Sequence, residues 1–195
     1  QVNTVPVTHF SVTGAPASAT AGSSFSVTVS ALDAGNAVTT GYLGTIHFTS
    51  TDAAATLPAN YTFTAADAGV HTFTGLVLRT AGPRSVTATD TVLASVTGTA
   101  SVSVTAAAAA SLAVAAPANA TAGTSFSATV TALDAYGNVA TGYLGTVHFT
   151  STDAAATLPA DYAFTGADAG VHAFSGATMK TAGARSLTAT DTVTA

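Results

Sequence analysis

TAGSSFSVTVSALDA, residues Thr20–Ala34, decides the fold. Phe25, Val27, Val29 and Ala31 alternate with Ser24, Ser26, Thr28 and Ser30. A period of two sends successive side chains to opposite faces, so the run reads as a strand with one core face and one wet face. The stretch returns as TAGTSFSATVTALDA at Thr121–Ala135. GYLGTIHFTSTDAAATLP (Gly41–Pro58) returns at Gly142–Pro159 with one change, Ile46 to Val147. ADAGVHTFTG at Ala66 and TAGPRSVTATDTV at Thr80 return as ADAGVHAFSG at Ala167 and TAGARSLTATDTV at Thr181. All four keep one offset, 101 residues. That is too long for a solenoid unit and fits a whole small domain.

The same alternation recurs along the first repeat. Seven strands are expected there: Val5–Val12, Ser24–Leu32, Gly44–Ser50, Asn60–Thr64, Val70–Leu78, Ser85–Thr89 and Thr99–Thr105. Gly, Pro, Asn and Asp clusters separate them. No stretch shows a helical period. Short strands at this density predict an all-β chain of two tandem immunoglobulin-like antiparallel β-sandwiches. The alanine run Ala106–Ala110 is the linker, giving domains 1–107 and 108–195. After Asp90 the first repeat continues through VLASVTGTASVSVT, which supplies its last strand; after Asp191 come only Thr192–Ala195. The second sandwich is therefore expected to lack its last strand within this chain, leaving an edge that another strand can join.

Composition agrees. Charged residues are 7% of the 195, against about a quarter in ordinary domains. Glu, Trp and Cys are absent, and Thr is roughly a fifth of the chain, a bias that suits pleated surfaces. With a net charge of −5 and four basic residues (Arg79, Arg84, Lys180 and Arg185) the chain is excluded from binding nucleic acid or anionic membrane through a basic patch. No apolar run has the length of a membrane span, so no membrane insertion is expected. No signal peptide is visible, and a start at Gln1 suits a mature or trimmed form. The Thr, Ser, Ala and Asp surface, nearly free of Lys, points to an extracellular or cell-surface protein.

ALDAYGNVATGYLGTVHFTSTD, followed by ADAGVHAF and TAGARSLTATD, resembles the immunoglobulin-like tandem repeats of large secreted and cell-surface bacterial proteins, of the invasin and filamin types. The resemblance covers nearly the whole chain. In the first repeat the Gly–Asn pair is shifted by one, in ALDAGNAVTTGY. The resemblance implies a structural or adhesive module and brings no catalytic residues with it.

The polar residues allow several site readings. No GxSxG, HExxH or phosphate-binding loop is present, and with neither Glu nor Cys the chain is not expected to be an enzyme. His47 and His148 fall on the polar phase of the third strand; His71 and His172 open the fifth, on the opposite sheet, so they read as surface histidines. A Lys–Asn crosslink common to both repeats is excluded, because Arg79 stands where Lys180 does. Asp33, Asp67 and Asp90 lie in loops that share one pole of the sandwich, and Asp134, Asp168 and Asp191 repeat the set. Asp52 lies at the other pole with Arg79 and Arg84, as does Asp153 with Lys180 and Arg185. Three uses stand open: turn capping, charge pairing between neighbouring modules stacked head to tail through Asp52, Arg79, Arg84, Asp134, Asp168 and Asp191, and Ca²⁺ binding at the carboxylate sets. Asn60-Tyr61-Thr62 and Asn119-Ala120-Thr121 fit the N-glycosylation pattern. Tyr42, Tyr143 and Tyr136 are loop tyrosines that a sugar ligand would use, whereas Tyr61 and Tyr162 read as core.

The expected function is mechanical: a spacer, display and assembly module whose partners are neighbouring modules or copies of itself. One route to assembly is strand donation, with Gln1–Val7 filling the open edge of another molecule; Pro6, which has no N–H, weighs against it. The rival reading is a Ca²⁺- or carbohydrate-binding module, or an accessory domain of a secreted enzyme.

Overall fold

The computed structural model describes residues 6–192. The chain divides into Gln1–Thr105 and Ala106–Ala195, between 105 and 106 rather than 107 and 108. Thr105 still belongs to the first unit, where its carbonyl accepts from the Ala21 N–H. The Ala107 N–H is already tied to Asp134 Oδ2 of the second.

The first unit holds β1 (His9–Thr13), β2 (Ser18–Thr20), β3 (Ser24–Leu32), β4 (Thr45–Ser50), β5 (Tyr61–Thr62), β6 (Val70–Val77), β7 (Gly82–Asp90) and β8 (Thr97–Thr105). They form a three-stranded sheet, β1-β3-β6, and a five-stranded sheet, β2-β8-β7-β4-β5. All pairings are antiparallel except β2 with β8, which is parallel. The inner faces meet in a core of Val27, Val29, Ile46, Phe48, Phe63, Phe73, Leu76 and Val86. Phe48 and Phe73 face each other from opposite sheets, ring centroids 4.8 Å apart and edge to face. On the outer faces threonine hydroxyls pair across strands, Thr28 with Thr72 at 2.9 Å and Thr87 with Thr99 at 2.8 Å. Such pairs each add about 0.2–1 kcal/mol, which gives the threonine bias a structural use.

The fourth expected strand corresponds only to β5, and it sits beside β4 on the five-stranded sheet. The chain between β5 and β6 then makes a single 3-10 turn, Ala65–Asp67. One turn is too short to leave a period in the sequence. Asp67 closes it by accepting from the Thr64 N–H at 2.6 Å and Thr64 Oγ1 at 2.7 Å, a capping box. β3 and β6 change register between Phe25 and Val27. The extra residue is absorbed at Gly75, whose φ of 76° only glycine adopts cheaply.

The second unit holds β9 (Ser111–Ala115), β10 (Ser125–Leu133), β11 (Thr146–Ser151), β12 (Tyr162–Ala163), β13 (Val171–Thr178) and β14 (Leu187–Asp191). Its sheets run β9-β10-β13 and β12-β11-β14. The turn Gly166–Asp168 and the bulge at Gly176 (φ 84°) repeat those of the first unit. In its loop after β10 the left-handed position is Gly137; in the first unit it is Asn36, which accounts for the shifted Gly–Asn pair. Among the described residues nothing in the second unit corresponds to β8, as expected, or to β2, which pairs with β8 in the first, and β14 is the edge of its sheet. No described helix is long and apolar enough to cross a membrane.

Candidate functional site

Each candidate residue has a specific local role. Asp52, expected at an exposed joint, is 3% exposed. Its carboxylate accepts from the N–H groups of Ala54, Arg79 and Thr80 and from Thr80 Oγ1, at 2.6–3.0 Å. The carboxylate stitches the loop after β4 to the connection between β6 and β7. Burial pulls its pKa upward, but the donors at Thr80, Arg79 and Ala54 outweigh it and hold the group down at about 2. Arg79 turns onto the loop after β4, and Arg84 onto its own loop. The Arg79 guanidinium donates to Ala54 O and Thr56 Oγ1. Arg84 donates to Thr80 O and Ala81 O. Asp153 repeats the staple with Ala155, Lys180 and Thr181. There the Thr181 N–H leads in holding the carboxyl below the usual range.

The loop tyrosines at 42 and 143 are not exposed platforms. Tyr42 is buried and donates to Asp90 Oδ2 at 2.5 Å; Tyr143 is half-buried and donates to Asp191 Oδ2 at 2.8 Å. Burial first, then the Asp90 carboxylate, push the Tyr42 phenol far above its ordinary value. Asp90 also caps the chain after β7 through the N–H groups of Val92 and Leu93. Tyr136 remains exposed.

The histidines are partnered. His71 stacks on Tyr61 at 3.9 Å and reaches Asp67 Oδ1 at 2.7 Å, while Tyr61 Oη donates to the same carboxylate. Tyr162, His172 and Asp168 repeat this cluster. In Asp168 the Thr165 N–H leads, followed by His172, in lowering the pKa to about 2. Residue type alone hides the cluster; the signal was the spacing Tyr61–Asp67–His71, kept in both repeats. His47 stands outside and meets Asn60 Oδ1 at 2.7 Å. In the second unit His148 meets Asp161 at 2.6 Å, so Asn60 and Asp161 share one role. Asn119 is exposed in the loop after β9.

The strand registers put Asp33, Asp67 and Asp90 at one end of the first unit. Each faces a different task there, Asp33 holding the N–H groups of Gly35 and Ala37. Asp134, 3% exposed, does the same for Tyr136 and Asn138. Among the described residues no three His, Cys, Asp or Glu side chains are gathered as a metal would need. The contacts that Asp33, Asp67, Asp90 and Asp134 make are those of turn capping.

One opening lies in the second unit. A cleft of about 770 Å³ runs between the chain leading into β9 and the open edge of β14, lined by Leu112, Tyr143, Leu144, Ala189 and Asp191. Val7, which would have been the inner end of a donated Gln1–Val7 strand, packs against the core of its own unit. Residues 1–5 of that segment lie outside the described residues.

No family model matches the sequence, and no curated relative does. Solved structures do. The Escherichia coli adhesin FdeC is 24% identical, with a TM-score of 0.50 over 95% of this chain and 60% of its own. The Yersinia pseudotuberculosis adhesin InvE is 20% identical over 87% of this chain and 51% of its own, TM-score 0.42. Domains 5–6 of the S-layer protein SbsC are 17% identical over 97% of this chain and 92% of theirs, TM-score 0.37. The chain thus spans about 60% and 51% of these two adhesin structures. The chain shares its fold, immunoglobulin-like β-sandwiches in tandem, with the adhesin FdeC.

Proposed function

We propose that the chain is a load-bearing spacer and display segment of a larger extracellular bacterial surface protein, with no catalytic role. The observation that carries this reading is the use made of the polar side chains. Asp52, Asp67, Asp90 and their repeats are spent on loop staples and caps, not aimed at a ligand. What the duplication preserves is scaffold. The architecture of the first unit suits load. β1 starts at the pole where β3 ends, and β8 ends at the opposite pole. Tension along the chain therefore loads the β1–β3 and β2–β8 ladders in shear, many hydrogen bonds at once. Comparison with FdeC, named as an adhesin, supports placement at a bacterial surface.

Pulling the chain by its two ends in an optical trap tests this. Two unfolding events are expected, the first unit yielding at the higher force because it alone has the β2–β8 pair. If the first unit unfolds at forces no higher than the second, the load-bearing reading fails. Melts in millimolar Ca²⁺ and in EDTA should coincide; a rise with Ca²⁺ would restore the metal reading.

A further inference from the structure

Among the described residues, the large apolar side chains that the first unit exposes are Val38, Leu43, Val70, Val92 and Leu93. All five stand at one end of the sandwich. Val38 bridges Leu32, the last residue of β3. Leu43 comes two residues before β4, and Val70 opens β6 opposite Ser30. Val92 and Leu93 follow Asp90, which ends β7 opposite Ile46, near the start of β4. Three of the five recur in the second unit as Val139, Leu144 and Val171, also exposed; Leu43 is 57% exposed and Leu144 63%. Apolar residues scattered singly over a surface need no explanation, but a cluster confined to one end marks a contact surface.

The loops that carry these side chains are pinned. One Asp90 oxygen takes the N–H groups of Val92 and Leu93, and the other takes the Tyr42 hydroxyl. The turn closes with the Val96 N–H on Leu93 O at 2.8 Å. The chain at Gly69 lies so close to the neighbouring loop that a Cβ there would meet Thr39 O at 2.5 Å and Val38 Cγ1 at 3.1 Å. Val92 is therefore 85% exposed on a fixed turn, and docking through it costs little ordering. Charge is as one-sided as the apolar surface. Asp33, Asp67 and Asp90 belong to this end, and Asp67 is kept ionised, by the Thr64 N–H first. The four Lys and Arg residues lie at the other end of their units, on the loops that Asp52 and Asp153 staple.

We propose that this end of the first unit is the docking surface for a protein partner whose contact face is an apolar pocket rimmed by Lys and Arg. The exposed Leu and Val side chains supply the contact, and carboxylates with no Lys or Arg at their end favour a cationic rim. A second copy's like end would set the same three carboxylates against one another, and an anionic membrane would be repelled. The proposal stands apart from the load-bearing reading, which concerns the strand ladders and not this surface.

The test uses the full chain as bait for a random peptide library displayed on phage. Peptides that combine Leu, Phe or Trp with Lys or Arg should be enriched. A synthetic copy of an enriched peptide should bind the chain more weakly as salt is raised. Its affinity should fall by about tenfold or more in the triple variant Leu43→Ser, Val92→Ser, Leu93→Ser. Those three side chains are exposed, so the melting temperature should hold. Lys180→Gln, at the cationic end of the second unit, should leave binding unchanged. No enrichment, enrichment of acidic or uncharged peptides, or binding that survives the triple variant overturns the proposal. So would sedimentation of the chain as dimers that the triple variant abolishes, which would assign this end to a second copy. Co-sedimentation with phosphatidylcholine vesicles, lost in the same variant, would assign it to a membrane and would overturn the proposal as well.

Discussion

The two units are written in nearly the same sequence and, among the described residues, differ by two paired strands, β2 and β8. Where β8 is present, β7 runs nine residues, Gly82–Asp90. Where it is absent, β14 runs five, Leu187–Asp191, and residues 183–186 are not strand. Ser18–Thr20 form β2 only because β8 is there to pair with; the equivalent 119–121 have no partner and no strand. The far side of the core is untouched. Phe149 and Phe174 meet at 4.8 Å, as Phe48 and Phe73 do. The sandwich therefore consists of a self-sufficient part, built by β3, β4 and β6, and a flank whose order is lent by a neighbouring strand.

The largest effect should come from breaking that neighbour. Val102 is 2% exposed, so Val102→Asp buries a charge and should cost the first unit about 4 kcal/mol or more. Calorimetry of the native chain should show the first unit melting above the second, and in the variant that order should vanish or reverse. Hydrogen exchange should show protection lost at Ser18–Thr20 and Gly82–Ser85 first. If the variant unfolds the first unit outright, Val102→Ala gives the graded version, at about 2 kcal/mol. A loss spread evenly over both units would refute the division into core and flank.

The buried carboxylate staple comes next, and it is common to both units. In Asp52→Asn the amide NH₂ must face either the N–H groups of Arg79 and Thr80 or the N–H of Ala54, leaving donors unpaired, at a cost of about 3 kcal/mol. Asp153→Asn should act in the same direction on the second unit. The pH dependence follows from the depressed pKa of Asp52, about 2 against an ordinary 3.8. A lowered folded-state pKa means the ionised form is favoured by folding. The stabilisation is complete above 3.8 and is lost as pH falls toward 2. Thermal melts should show the first unit weakening across that window and the Asp52→Asn variant responding less.

These staples also show what sequence could reveal. Strands such as Phe25–Ala31 were legible because burial on one face forces a period of two. The parallel pairing of β2 was not, since three residues beside Pro16 carry no alternation that marks a strand. Neither was the burial of Asp52, Asp90 and Tyr42. A carboxylate in a loop looks the same in sequence whether it faces water or three N–H groups, and only the fold brings Arg79 and Thr80 to Asp52. The short β5 was read as a strand, but its sheet depends on the turn at Ala65–Asp67, which no residue pattern announces.

A smaller test lies where the units differ inside the core. Thr39 Oγ1 is buried without a hydrogen-bond partner among the described residues, and the second unit has Ala140 there, buried and satisfied. Thr39→Val keeps the shape and removes the unpaired hydroxyl, so it should raise the stability of the first unit by about 1 kcal/mol. A loss instead would mean that the hydroxyl finds a partner, water included.

The smallest effect belongs to the only difference between GYLGTIHFTSTDAAATLP and its copy. Ile46 and Val147 are both 0% exposed and sit at the same register, opposite Asp90 and Asp191. Ile46→Val deletes a methylene from a flank closed by β8, where the surroundings are held and cannot collapse, so about 0.5–1 kcal/mol should be lost. Val147→Ile adds the same methylene beside β14, where the flank is open and Leu187 can shift. Overpacking should be relieved there, and the change should fall within about 0.5 kcal/mol of zero. If the two exchanges instead give equal and opposite changes, the second flank is already as rigid as the first, and β8 is not what makes the difference between the units.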